Sequence, residues 1–289
     1  MIIKKFLSKS MVIGTLFLLT ACSADSDKEG TDSKVANTET KEDVVTITAL
    51  NVGKADCFII ESPQSVGIMD TGTEESATII EDYLNKEGIT HIDILFISHF
   101  DKDHVGGADH IIRDYDVDNI YTTYYEAKTS QDIDEYHDAL EEKNITPVLV
   151  DKETEFTVDN ITWTIYPPEE DDYTKDISNN SSIVVRMEYD NNSMLFTGDA
   201  EKLRIKELLE IEGLQSDVLK MPHHGGDEKN LEDLIEYVEP EYAVITSSEI
   251  EREDTETMDK LEENGVETYL TRNGNIIITM DGNDILIRQ

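Results

Sequence analysis

His99, Asp101, Asp103 and His104 place four metal-binding groups within six residues, and Val105-Gly106-Gly107 follows at once. The apolar run Ile94-Leu95-Phe96-Ile97-Ser98 precedes them, and its branched and aromatic residues predict a buried strand. The four groups therefore lie on the loop at a strand's carboxyl end. Gly106-Gly107, then Ile111 and Ile112, predict a tight turn into a helix. Alternation along the loop can turn His99 and Asp101 toward one ion, and Asp103 and His104 toward a second. Two imidazoles and two carboxylates form the borderline-hard set that suits Zn, Mn or Fe. A polar turn that merely caps a helix needs only one or two such residues. Four of them behind a buried strand favour metal.

Two further groups fall where strands are expected to end. Met194-Leu-Phe-Thr-Gly198-Asp199 puts an acid after a short apolar run, and Asp217-Val-Leu-Lys-Met-Pro-His223-His224-Gly-Gly226 puts two histidines after another. Ligands at three strand ends can converge on one cleft.

The elements that must position them alternate along residues 44–289. Strands are predicted over 44–51, 57–61, 66–70, 92–98, 119–123 and 146–150, with helices over 74–86, 104–114 and 132–143. Hairpins are predicted for 156–158 with 161–166 and for 183–189 with 194–197. Helices over 200–211, 231–238 and 254–264 alternate with strands over 217–221, 242–246 and 267–270, and strands over 275–279 and 285–288 close the chain. Two halves, each opening with strands and continuing as strand–helix alternation, predict two sheets packed face to face with helices outside. That is an α/β, four-layer αββα sandwich.

The amino terminus reads as a targeting segment. Lys4, Lys5 and Lys9 precede an apolar run from Met11 to Ala21, well short of the ~18–20 residues that span a membrane. The run ends in Leu19-Thr20-Ala21-Cys22, which resembles the bacterial lipobox. That resemblance implies a signal peptide over residues 1–21, acylation of Cys22, and anchorage at the outer face of the cell membrane. An ordinary signal peptide with a free thiol is the alternative. Residues 23–43 are almost devoid of apolar side chains and read, with Cys22, as a tether. Residues 44–289 are long enough for one domain with a real core. Cys57 is left without a disulfide partner and is expected in the core, as is Trp163. The net charge of −40 repels polyanions at long range and argues against a nucleic-acid binder with a basic face.

In order, His99-x-Asp-x-Asp-His-x-Gly-Gly, Thr197-Gly-Asp and His223-His-Gly resemble the metallo-β-lactamase superfamily. They are closest to the metallo-hydrolase domains of ComEC-type competence proteins. Val52-Gly53-Lys54-Ala55-Asp56, Asp70-Thr71-Gly72 and Asn179-Asn180-Ser181-Ser182 match further elements of that group. The resemblance implies a metallo-β-lactamase fold and two divalent ions, Zn or Mn, sharing a bridging hydroxide. His99 and Asp101 match ligands of the first ion, Asp103 and His104 of the second, and Asp199 the carboxylate between them. One of His223 and His224 matches the last ligand, with His223 preferred because it comes straight off the strand. The other, His224 on that choice, would hand a proton to the leaving group. Asp70 matches a buried acid behind the site. Asp101 stands where most members have His, and no histidine occupies 178–182, where Asn180 or a neighbour would fill the gap. The resemblance points to a phosphodiesterase acting on DNA or on a cell-wall phosphodiester such as teichoic acid. A β-lactam or lactone hydrolase, and a non-catalytic binding lipoprotein, are the competing readings.

Overall fold

A computed structural model describes residues 44–126, 130–169 and 173–289. The signal-like segment, Cys22 and the tether lie outside the described residues.

The strands are β1 Val45–Ala49, β2 Phe58–Glu61, β3 Val66–Met69, β4 His91–Ile97, β5 Asp116–Thr122, β6 Val148–Leu149, β7 Thr154–Val158, β8 Ile161–Tyr166, β9 Val184–Tyr189, β10 Asn192–Phe196, β11 Val218–Lys220, β12 Tyr242–Ile245, β13 Glu267–Leu270, β14 Ile276–Met280 and β15 Ile285–Arg288. They form two sheets, ordered β15-β14-β1-β2-β3-β4-β5-β6 and β13-β12-β11-β10-β9-β8-β7. Each sheet has an antiparallel half and a parallel half. In the first, β3 to β6 run parallel; in the second, β10 to β13 do. The parallel halves send their carboxyl ends to the site.

The helices are α1 Ala77–Glu87, α2 Lys102–Val105, α3 Ala108–Asp114, α4 Gln131–Lys143, α5 Ile177–Asn180, α6 Lys202–Leu208, α7 Leu231–Val238 and α8 Thr255–Glu263. Ile80 and Leu84 of α1, Ile111 and Ile112 of α3 and Ile133 and Leu140 of α4 pack on Ile59, Ile68, Leu95 and Ile97 of the first sheet. Ile205 and Leu208 of α6, Leu234 and Ile235 of α7 and Leu261 of α8 pack on Leu195, Leu219, Ala243 and Ile245 of the second. Between the sheets lie Ile47, Phe58, Phe96, Trp163, Met187, Phe196, Val218 and Val244. The strands carry out this layering by alternation. Met194 and Phe196 face the other sheet, while Leu195 between them faces the helices. The expected four layers, helix–sheet–sheet–helix, are what the chain forms.

Two departures bear on the site. The helix expected over 104–114 is broken into α2 and α3. A side chain at Gly106 would collide with the Lys102 carbonyl and the Glu74 amide. The break lets Gly106 donate to the Gly72 carbonyl at 3.0 Å, tying the ligand loop to the Asp70-Thr71-Gly72 turn. The short α5, within the segment 177–182, was not expected at all.

Cys57 is buried, and burial raises its thiol pKa well above the usual value, as suits a core residue. Trp163 lies in the central layer, 5.1 Å from the Phe96 ring, with Gly67 leaving room for its edge. Tyr121 belongs to the same layer, stacked on Phe96 and Phe156. Trp163→Ala should cost about 3–5 kcal/mol. Urea unfolding followed by far-ultraviolet circular dichroism reads it, and a loss below 1 kcal/mol would contradict the inter-sheet packing.

Candidate metal centre

Asp70 closes β3, His99 to His104 follow β4, Asp199 follows β10, His223-His224 follow β11, and Thr246 follows β12. These strand ends meet at one place because the loops of the two sheets touch there. Ile183 donates to the Ser98 carbonyl at 2.9 Å. Gly198, at φ 53°, sits where a Cβ would come within 2.9 Å of Ser182, so glycine is required for the approach.

Ligand atoms of Asp103, His104, Asp199 and His224 all lie within 4.8 Å of one another. His104 Nε2 is 3.2 Å from one Asp199 oxygen and His224 Nε2 is 3.2 Å from the other. Asp103 lies 3.3 Å from His224 Nε2. His99 stands beside them, its ring 4.0 Å from that of His104, and Asp101 is 3.8 Å from its Nε2. The Nε2 atoms of His99, His104 and His224 are buried and hydrogen-bonded to nothing. Three orphaned nitrogens facing ionised carboxylates are what a cation site looks like from its donor set, because buried polar atoms otherwise find partners.

The other nitrogens are held in place. His104 Nδ1 is 2.8 Å from Asp70, whose two oxygens also accept from the Ser98 amide and hydroxyl at 2.7 Å each. His224 Nδ1 is 2.9 Å from the Thr246 hydroxyl, which donates to Asp56 at 2.5 Å. Such outer partners fix the tautomer that aims Nε2 at a metal. Asp70 is thus buried behind the centre. Burial alone would raise Asp199, but His104, His224 and Lys220 outweigh it and hold the carboxyl well below the usual range. Burial, with His104 beside it, lowers His99 to about 4. An ionised carboxylate and a neutral imidazole are the forms that ligate.

One preference is corrected. His224 enters the cluster, and His223 turns to the rim, its Nδ1 2.9 Å from Glu228 and 3.7 Å from Glu201. The reading of His223 as ligand assumed extended chain beyond β11. Instead His223 and His224 are both left-handed, at φ 47° and 53°, so the chain coils and the second ring swings inward. A second expectation also fails. Both ends of the Asn180 amide are spent: Oδ1 accepts from the Leu203 and Arg204 amides, and Nδ2 donates to the Lys175 and Asp176 carbonyls. Its neighbour Ser178 instead donates to Asp101 at 2.5 Å. Asp199, Asp101 and Asp70 are the carboxylates whose charge acts on His99.

Sequence reasoning placed Asp56 in a family element without a role, and missed Lys220. Both are 1% exposed and paired with each other, and Lys220 Nζ also donates to the Gly198 carbonyl at 2.8 Å and lies 3.4 Å from Asp199. The signal was there, since a lysine in the strand run Val218-Leu219-Lys220-Met221 is out of place unless paired. The remaining histidines, His91, His110 and His137, pair with surface acids.

The metallo-β-lactamase superfamily model matches residues 50–247, most of the chain and every residue of the candidate centre named above. The chain belongs to the metallo-β-lactamase superfamily. It is 26% identical to ComE operon protein 3 of Bacillus subtilis over 71% of its own length and 29% of that protein's. It is also 26% identical to Recombination protein 2 of Haemophilus influenzae, over 70% of this chain and 24% of that one. It spans less than a third of either relative. Among solved structures the fold matches CmlA, a diiron β-hydroxylase from Streptomyces venezuelae. That match has a TM-score of 0.54 at 12% identity, over 82% of this chain and 54% of that one. It also matches the metallo-β-lactamase fold protein YhfI of Bacillus subtilis, with a TM-score of 0.52 at 10% identity, over 85% and 100%. The fold of this superfamily implies divalent metal ions, and the His/Asp cluster could bind them.

Lys220→Met would leave Asp56 buried without its cation. It should destabilise the fold by about 3–5 kcal/mol. In Asp56→Ala/Lys220→Met the loss should be well below the sum of the two single losses, because neither charge is then stranded. Urea midpoints of the four proteins check this, and simple additivity would mean that the two are not a coupled pair.

Proposed function

We propose that this chain is an extracytoplasmic, metal-dependent phosphodiesterase with two divalent ions, Zn or Mn. The observation that carries the reading is the convergence of three buried, unpartnered imidazole nitrogens on Asp103 and Asp199. Asp103, His104, Asp199 and His224 would hold one ion, and His99 and Asp101, sharing Asp199, the other. Bound ions there supply a water of lowered pKa and neutralise charge on a phosphoryl oxygen. The rest is the work of the protein. Asp70, Thr246 and Asp56 hold the ligating rings, and Lys220 holds Asp199. Glu228 holds His223 by Nδ1, which leaves its Nε2 as the atom that gives a proton to the leaving group. Cys57 is in the core and the Ser98 hydroxyl is bound to Asp70, so neither is offered as a nucleophile.

A site rich in carboxylate oxygens suits cations that clamp a phosphodiester better than it suits a three-histidine site for β-lactams. Similarity to ComE operon protein 3 and Recombination protein 2 supports DNA as the diester, and a cell-wall phosphodiester such as teichoic acid is the other substrate of this chemistry. The charge of −40 favours single strands or small esters over a duplex held along a groove.

Assayed with Mn or Zn on bis-p-nitrophenyl phosphate, single-stranded DNA and a chromogenic cephalosporin, the protein should cleave the phosphodiesters. Asp103→Ala should lower that activity at least a hundredfold, and Asp199→Ala should lose most bound metal by elemental mass spectrometry. Cephalosporin turnover with no phosphodiester cleavage in either metal would replace the substrate class with β-lactams. Equal metal in Asp199→Ala and wild type would remove the centre itself.

The lipobox-like Leu19-Thr20-Ala21-Cys22 supports a lipid anchor on Cys22. Membrane fractionation should find the wild type with the membrane and Cys22→Ala released or unprocessed. A variant processed and anchored like wild type would exclude the lipid.

A further inference from the structure

Lys54 stands apart from the other cations. Among the described residues it is half-buried and has no acidic partner at ion-pair distance, whereas every other lysine or arginine without such a partner is exposed. The chain has 64 acidic residues to 24 basic ones, so partners are abundant. A charge withdrawn from water without a counter-charge is costly, and folds ordinarily supply one.

The position of Lys54 is fixed. It follows Gly53, whose φ of 90° disfavours any other residue, in a loop pinned at both ends. Asp56 donates its amide to the Asp103 carbonyl at 3.1 Å, and Asn51 donates its own to Asn275 at 2.9 Å. The loop that carries Lys54 is thereby clipped to the loop that carries the ligands. Lys54 lines a cavity of about 210 Å³ shared with His223, His224, Gly226 and Arg252, so the cavity opens beside the centre. Each acid on its wall has a partner nearer than Lys54. Glu228 faces His223 at 2.9 Å, Asp254 accepts from the Asp227 amide at 2.8 Å, and Asp227 pairs with Lys260. Arg252 on the far wall is paired with Glu249. Lys54 is the wall's cation without an acidic partner at ion-pair distance, and it shares the cavity with His223.

We propose that Lys54 is an anion anchor, binding a phosphate oxygen of the substrate in the cavity beside His223 and His224. The identity of the anion as phosphate rests on the phosphodiesterase reading. The anchor narrows the substrate class. The cavity is smaller than the ~300–1,000 Å³ of ordinary ligand pockets, so it admits one headgroup or one nucleotide unit and not a duplex. A small phosphodiester, or the end of a single strand, fits both the volume and the single charge.

Metal-loaded protein, dialysed free of excess metal, is titrated with inorganic phosphate by calorimetry, and KM for bis-p-nitrophenyl phosphate is measured alongside. Lys54→Gln should weaken phosphate about tenfold, the loss of one charge-assisted hydrogen bond, and raise KM in step. Lys54→Arg should stay within threefold of wild type. Lys229→Gln, which removes an equal charge from an exposed neighbouring position, should match wild type. Unchanged phosphate affinity in Lys54→Gln overturns the proposal, as does an equal loss in Lys229→Gln or a wild type that does not bind phosphate. If wild type cleaves no phosphodiester while Lys54→Gln still loses phosphate, the anchor stands and the phosphodiesterase reading falls.

Discussion

Asp199 lies 3.2 Å from His104 on one side and 3.2 Å from His224 on the other, with Lys220 3.4 Å away. His104 follows β4 of the first sheet, Asp199 and His224 follow β10 and β11 of the second, and Lys220 ends β11, so this carboxylate joins the two. A charge at 3% exposure survives only among cations or metal, since its desolvation costs several kcal/mol. Both sheets must therefore arrive at one separation for the site to exist at all. That separation is set by Phe58, Phe96, Trp163 and Phe196 in the layer between them, and closed by Gly198 where the loops touch. The aromatic layer is thus part of the metal centre's geometry, although it contributes no polar atom to it.

The turn that delivers His224 stores strain. His223 and His224 are consecutive left-handed residues, and Gly225 is a third. Each non-glycine residue there costs about 1–2 kcal/mol. The turn persists because its surroundings hold it. Gly226 donates to the His223 carbonyl at 2.9 Å, Asp254 donates to the Gly225 carbonyl at 3.0 Å, and His224 is held by Thr246. In return, two adjacent histidines point to different places, one into the buried cluster and one to the rim against Glu228. Extended chain would also separate them, but onto opposite faces of a sheet and not onto two sides of one cleft.

What could be read from the sequence divides along the same line. The loop from His99 to His104 was legible because its ligands are local and follow a strand whose apolar run announces itself. The four layers were legible because alternation in strands such as Met194 to Phe196, and helical spacing in Leu231 to Val238, survive into the fold. Where the meaning of a residue lies in a partner distant along the chain, pattern is mute. Asp56 acquires its role only when Lys220, 164 positions later, is folded against it. The order of His223 and His224 depended on backbone torsions that no alternation encodes. Asn180 sits where a ligand was expected, but its amide is consumed by the start of α6, a competition invisible until that helix is placed.

The acidity of the chain and the chemistry of its centre act over different ranges. A net charge of −40 attracts divalent cations and repels polyanions. Salt screens that field over about 8–10 Å, so at the candidate metal centre the near groups decide. There the protein has spent its acids inwardly. Asp56 is answered by Lys220, Asp70 by His104, Glu228 by His223 and Asp227 by Lys260. Once cations occupy the donor cluster, the cleft presents positive charge framed by already paired acids, within a surface that repels long anionic polymers. The two ranges thus act separately: the surface discourages bulk polyanion, while the charge met inside the cleft is set by the groups that line it.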